Sequence, residues 1–375
     1  MPTVLEEHLG YLQLPHRLGL YSDAIEQAVK PGDVVVDLGC GFGVLGMLCL
    51  QHGAAKVYGI DSSGAIEIAR ETAARAGLSD RYVCLAKSTF EAELPEKADV
   101  IICDHVGWFG LDYGILAMIR DAQKRFLKPG GIIIPQSVDL IVAGTSSETA
   151  YAKVDDWTGE DIPHEFHWLR EHGANSKHGR SFAGEEIVTD PVRLGRVALD
   201  ASAPDQIAFD AELTAQKDAP VHGIAGWFEA HLFGDIAMTN SPLDAVSIER
   251  LQVFLPFSQP FDAAQGDRYS AAIRWRPDEN LLSWSVKPPG GAPKQKMSTW
   301  KSTIVGPADL AGGSDEPVQL NQLGEARQFI LGLIDGAKTP AQIEAEVLAQ
   351  RPDLLPSETA TRDFVRTVLA RDCAA

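Results

Sequence analysis

Cysteine and aromatic residues are scarce in this sequence: five cysteines, and 7% Phe, Trp and Tyr, among 375 residues. Cys40, Cys49, Cys84, Cys103 and Cys373 are odd in number and form neither a CxxC pair nor a Cys/His cluster, which excludes a disulfide framework and a structural zinc site. Long hydrophobic runs are missing too. No apolar stretch reaches the ~20 residues of a membrane span, and Met1-Pro2-Thr3 does not open a basic region followed by an apolar block. The expected location is therefore cytoplasmic, with no membrane partner. Basic residues are the minority charge, 33 Lys and Arg against 52 Asp and Glu, for a net charge of -19. That balance disfavours nucleic acid as a partner, because phosphate binding needs clustered cations to displace counterions. It favours long-range attraction of a cationic substrate or peptide.

What is present is a soluble globular composition, 45% hydrophobic and 23% charged, over a length that implies two or three packed units. From Asp33 the pattern alternates strand, turn and helix. Strands are expected at Val34 to Val36, Lys56 to Ile60, Tyr82 to Ala86, Val100 to Cys103 and Ile132 to Ile134, with helices at Val44 to His52, Ala65 to Ala76 and Gly114 to Phe126. Such repetition implies a Rossmann-like α/β unit, a parallel sheet covered on both faces. After Pro135 short alternating segments (Asp139 to Ala143, His222 to Phe233, Leu251 to Phe254, Tyr269 to Trp275) suggest an antiparallel barrel or sandwich, with a polar helical insertion over Asp161 to Lys177. Beyond the Gly312-Gly313-Ser314-Asp315 linker, three helices are expected over Glu325 to Ile334, Pro340 to Ala349 and Glu358 to Leu369.

The densest chemical signal is Asp37-Leu38-Gly39-Cys40-Gly41-Phe42-Gly43, between a strand and a helix. The GxGxxG spacing inside this stretch also fits a dinucleotide fingerprint. Asp37 separates the two readings, since a carboxylate there repels a pyrophosphate but can pair with the ammonium of S-adenosyl-L-methionine. Asp61, ending Tyr58-Gly59-Ile60-Asp61, is suited to bridge both ribose hydroxyls, a role that also serves NAD enzymes.

At these residues the chain resembles the protein arginine methyltransferase family, over roughly residues 5 to 300. Val35 to Leu45 looks like the family's first motif and Val57 to Asp61 like its second. The resemblance implies cofactor contacts from Asp37, Gly39, Cys40, Gly41, Asp61 and Ser62, and from Ser88 and Glu91 after the third strand. It also places His8, Arg17 and Tyr21 on an N-terminal helical lid, with the Arg17 fork binding the cofactor carboxylate. The family's substrate loop, whose two glutamates clamp a guanidinium, falls on Asp104 to Gly114. Asp104 stands for the first acid, while the second aligns with Tyr113 beside Asp112. Trp108 and Phe109 could wall an aromatic pocket or pack against the barrel; His105 reads as a surface or packing histidine rather than as a base. The Thr-His-Trp loop of the family is replaced by Ser247-Ile248-Glu249, and Thr299-Trp300 looks coincidental.

The implied organisation is a lid over residues 1–30, a cofactor-binding domain over 31–136, a barrel domain over 137–312 with a dimerisation arm at about 155–180, and a helical module over 318–375. Methyl transfer is an in-line displacement at an activated carbon, leaving S-adenosyl-L-homocysteine, so alignment and water exclusion suffice and no metal is expected. A carboxylate beside a nitrogen acceptor stabilises its approach; Asp104, assisted by Asp112 or Tyr113, is the candidate. From Val318 onward the tail resembles the small peptide chaperones of PQQ biosynthesis, winged-helix modules that bind leader peptides of ribosomal natural products by strand addition. The expected enzyme is a homodimeric methyltransferase acting on a side-chain nitrogen of a peptide or protein, arginine first and histidine possible. A small-molecule acceptor and a catalytically silent binding homologue are the alternatives.

Overall fold

The computed structural model describes residues 4–303, 320, 322–355 and 357–373. Two helices open the chain, α1 (Val4–Gln13) and α2 (Arg17–Ala28). Helix α2 buries Arg17, Tyr21, Ala24, Ile25 and Ala28, a spacing that forms one stripe along a 3.6-residue helix. Next come β1 (Val34–Leu38), α3 (Val44–Gln51), β2 (Lys56–Ile60), α4 (Ala65–Arg75), β3 (Tyr82–Leu85), β4 (Ala98–Cys103), α5 (Ile115–Phe126) and β5 (Leu127–Ile134). The five strands form a parallel sheet in the order β3-β2-β1-β4-β5. All five residues of β1 are buried, as a central strand covered on both faces requires. Strand β5 starts five residues before the expected Ile132, because Lys128-Pro129-Gly130-Gly131 is absorbed as an irregularity: Ala98 pairs Leu127, but Val100 pairs Ile132.

The second half contains β6 (Ser137–Thr145), α6 (Glu148–Asp155), α7 (Leu169–Ala174), β7 (His178–Arg180), β8 (Val192–Ala198), β9 (Ile207–Thr214), β10 (Ala219–Phe233), β11 (Ile236–Thr239), β12 (Gln252–Ala263), β13 (Arg268–Arg276), β14 (Leu281–Lys287) and β15 (Gln295–Ser298). They pair antiparallel in two sheets. One runs β7-β12-β10-β6-β8 with β11 on β10, the other β15-β14-β13-β9. The helical insertion is shorter than the sequence implied: Asp161 to Lys177 contains single 3-10 and α turns, and the longer helix, α6, precedes it. The parallel sheet and both antiparallel sheets share one core, in which Phe109 stacks on Trp275 at 5.4 Å. Helix α2 packs on α3 and also on β10 and β11, so it is braced from both halves.

Residues up to Thr303 form one compact unit and those from Ile304 a second. The second unit contains α8 (Gln322–Gly332), α9 (Pro340–Gln350) and α10 (Glu358–Asp372) around Ala326, Ile330, Ile343, Val347, Val365 and Val368. Thr339 caps α9 with the reciprocal Gln342 bond of a capping box. The 312–318 boundary, Val318 and Asn321 lie outside the described residues.

Candidate active site and cofactor cradle

A cavity of about 730 Å³ opens at the C-terminal ends of β1, β2 and β4, where ligands of parallel α/β sheets bind. Its floor is the glycine turn. Gly39 and Gly41 have φ of +61° and +53°, and a Cβ at either would sit 2.1 Å from His105 Nε2 or 2.7 Å from His8 Nε2. Only hydrogen at these α-carbons lets the substrate loop and α1 close on the turn. His8 stacks on Phe42 at 4.2 Å. His8 of α1 thus lies against the glycine turn, and His105 lines the cavity.

Asp37 is 2% exposed. Its Oδ2 accepts hydrogen bonds from Gly46 N (2.9 Å) and from the Tyr82 hydroxyl (3.3 Å). The Tyr82 ring reaches it through a slot left by Gly43, Gly46 and Gly59, each of which would collide with that ring if it carried a Cβ. Burial pushes the Asp37 carboxyl up to about 7, against the opposing bonds from Gly46 and Tyr82. Asp61 accepts from Gly41 N (2.8 Å) and from the backbone and hydroxyl of Ser63 (2.8 and 2.7 Å), which fixes its carboxylate at the cavity wall. Ser63 lines the cavity and Ser62 does not. Ser88 and Glu91 are also off the lining: they form the turn after β3, where the Ser88 carbonyl accepts from Glu91 N and Ala92 N.

Asp104 directly follows β4 and lines the cavity. Arg17 donates to its Oδ2 from Nε (2.6 Å) and Nη2 (2.5 Å), Arg250 from Nη2 (2.9 Å), and the Tyr21 hydroxyl donates to Oδ1 (3.1 Å). Burial alone would raise its carboxyl, but the two guanidiniums outweigh that effect and hold it at about 2. The fork that the sequence assigned to the cofactor therefore rests on Asp104. Arg17 still lines the cavity, within it rather than on the solvated face of its helix.

The other loop residues separate. Tyr113 lines the cavity. Asp112 does not. Its carboxylate accepts from Phe109 N (2.5 Å) and from Lys177 Nζ (2.9 Å), which shapes the loop and ties it to the segment before β7. Trp108 also lies off the cavity, packed where a Cβ on Gly179 would touch its ring; Phe109 is fully buried. Trp300 is 72% exposed and outside the lining of this cavity.

Arg250 is the site residue the sequence did not reveal. Glu249, at φ +54°, turns the chain so that Arg250 points inward. Buried Asn240 donates to Trp108 O and Leu251 O (both 2.8 Å) and accepts from Phe228 N (2.9 Å), while Gln252 Nε2 donates to Arg250 O (3.0 Å) and Asn240 O (2.7 Å). This buried amide pair fastens the Arg250 backbone to the substrate loop.

The family description of ribosomal protein L11 methyltransferases matches residues 20–170, the cofactor-binding part. A probable protein arginine N-methyltransferase 6 of Arabidopsis thaliana is 31% identical over 84% of this chain and 72% of its own length. The chain belongs to the protein arginine N-methyltransferase family. It is accordingly an S-adenosylmethionine-dependent methyltransferase. Another relative, a probable protein arginine N-methyltransferase 6.2 of Oryza sativa, is 30% identical, and the match covers 59% of this chain and 58% of that protein. The fold matches two solved members. A Trypanosoma brucei PRMT1 enzyme–prozyme heterotetrameric complex with AdoHcy superposes with a TM-score of 0.69 at 22% identity, and Arabidopsis thaliana protein arginine methyltransferase 10 with 0.66 at 20%. Each covers 78% of this chain and 97% of the other. The donor set of the cradle fits the family's cofactor, since the carboxylates of Asp37 and Asp61 and the Arg17 guanidinium line one cavity.

Proposed function

We propose that the protein methylates a side-chain nitrogen of a peptide or protein, with arginine as the first acceptor and histidine the second. The observation that carries this reading is a buried, ionised Asp104 at the inner wall of the cofactor cavity, on the loop where the family clamps its acceptor. Asp61 would hold the ribose, Asp37 the cofactor ammonium and Arg17 its carboxylate, with Gly39, Cys40 and Gly41 against the nucleoside and His8 closing α1 over it. The bound cofactor supplies the activated methyl group. The chain's own part is to orient the acceptor nitrogen, exclude water and offset its positive charge through Asp104, with the Tyr113 hydroxyl where the family has a second acid.

The finer organisation belongs to the same reading: residues 1–30 as lid, 31–136 as cofactor domain, 137–312 as substrate and dimerisation domain, and 318–375 as a leader-peptide module in a cytoplasmic pathway. Exposed Phe166 and Trp168 on the arm support a homodimer. The deciding experiment combines calorimetric cofactor titration with a methyl-transfer assay on candidate peptides. Asp104→Ala should lose turnover at least about 100-fold, the range of a lost electrostatic group, and keep or improve cofactor affinity because Arg17 is released. Cofactor binding without turnover on any acceptor would leave only a binding role.

A further inference from the structure

Asp104 and Tyr113 stand at opposite ends of the substrate loop, and both line the cavity. The loop between them bends through Gly107 and Gly110, at φ of +65° and +87°, so its backbone alone does not hold them at a fixed separation. One side chain closes it. Asp112, whose side chain is 2% exposed, accepts from Phe109 N and fills the space beside Gly107, where a Cβ would stand 2.7 Å from Oδ2. Its other oxygen accepts from Lys177 Nζ at 2.9 Å, and the same ammonium donates to Asn280 Oδ1 at 2.9 Å. We propose that Lys177 is a positioning residue for methyl transfer: through Asp112 it sets the Tyr113 hydroxyl relative to Asp104 across the acceptor. This inference rests on the reading of Asp104 and Tyr113 given above.

The second half of the chain holds the loop from both ends. Lys177 directly precedes β7, which pairs with the start of β12, Arg180 opposite Gln252 and Gly179 opposite Val253. Arg250, two residues before Gln252, donates to Asp104. One strand pair thus leads on one side to the group on Asp104 and on the other to the group on Asp112, the chain neighbour of Tyr113. A contact from the same segment points the same way. The Trp108 ring occupies the space left by Gly179, 2.6 Å from where a Cβ would stand, and meets the Tyr113 ring edge-on at 6.5 Å. The bond to Asn280, in the turn before β14, anchors the ammonium apart from the loop. Charge makes the tie specific: a buried carboxylate without its cation is costly. Removing the ammonium therefore drives Asp112 towards water and shifts Tyr113 with it, while the Trp108–Gly179 packing remains.

The test uses the full chain, with S-adenosylhomocysteine affinity measured calorimetrically and initial rates measured with S-adenosylmethionine and acetyl-Ala-Arg-Ala-amide. Lys177→Met should lower kcat/KM for the peptide about 10- to 100-fold, the range for an acceptor displaced by about an ångström, and leave S-adenosylhomocysteine affinity unchanged. Lys177→Arg, which keeps the charge, should recover most of that loss. The decisive readout is coupling. Tyr113→Phe should lower turnover in wild type and have no further effect in Lys177→Met, because the hydroxyl is already out of place. Losses that multiply in the double variant, or wild-type kinetics in Lys177→Met or Tyr113→Phe, overturn the proposal and leave the Asp104 reading standing. If wild type binds S-adenosylhomocysteine but methylates neither this peptide nor acetyl-Ala-His-Ala-amide, the reading of the acceptor site falls and the proposal with it. Should Lys177→Met lose S-adenosylhomocysteine binding, Asp112→Asn replaces it: that variant removes the charge Lys177 answers, and multiplying losses with Tyr113→Phe overturn the proposal there too.

Discussion

The Asp37 carboxyl couples folding to pH. Buried, it is pushed up to about 7, against about 4 for a free carboxyl in the unfolded chain. Between those values the folded chain binds the extra proton, so its stability falls as pH rises from about 4 to about 7. Asp37→Asn should remove that slope in thermal unfolding followed across this window. Cofactor binding should show the opposite trend, since only the ionised form pairs with an ammonium. Affinity for S-adenosylhomocysteine should rise through pH 7 in wild type and stay flat in Asp37→Asn, a difference that calorimetry at two pH values will resolve. Asp104 behaves the other way: held at about 2 by its two guanidiniums, it stabilises the fold above about pH 4 and loses that contribution as pH falls towards 2. Much of this chemistry was legible in sequence, because Asp37 follows the β-branched run Val34-Val35-Val36 and Asp61 follows the apolar segment Val57 to Ile60, each before a turn. Arg250 was not, because it reaches Asp104 across 146 residues and through a left-handed Glu249 that no local pattern marks.

Elements carry the next level of constraint. The glycine turn is rigid because α1 and the substrate loop both close on it, so Gly39→Ala meets a positive φ and the His105 ring together. Such a change should abolish measurable S-adenosylhomocysteine binding while leaving far-UV circular dichroism native. Asn240 joins β10, the substrate loop and the Arg250 segment. Asn240→Ala orphans several buried backbone groups, at about 1–3 kcal/mol for each group left unpaired, and should lower the chemical-denaturation midpoint markedly. The alternating strand and helix periods of the first half could be read directly, apart from the early start of β5. The second half was harder. Its strands showed alternation, but their order is set by pairings between distant segments, and the insertion's polar composition does not distinguish a continuous helix from the isolated turns found there. Asp112 misled for a related reason: its capture by Phe109 N and Lys177 depends on loop geometry rather than residue type.

At the scale of the whole molecule, the unit ending at Thr303 has its own continuous core and includes the entire cradle. A chain shortened to residues 1–303 should keep its S-adenosylhomocysteine affinity within about twofold, the scatter expected when no contact of the site is touched. Pull-down of precursor peptides should be lost if the helical module recognises a leader. Sedimentation should give a dimer that Trp168→Asp converts to a monomer, the expected cost of placing a charge in an apolar contact. The Arg17–Asp104 pair has a kinetic corollary. Until the methyl donor has drawn Arg17 aside, an incoming substrate finds its anchoring carboxylate doubly engaged, so turnover should follow a compulsory sequence. The donor binds first and S-adenosylhomocysteine departs last, and that product should inhibit competitively against the donor and non-competitively against the peptide.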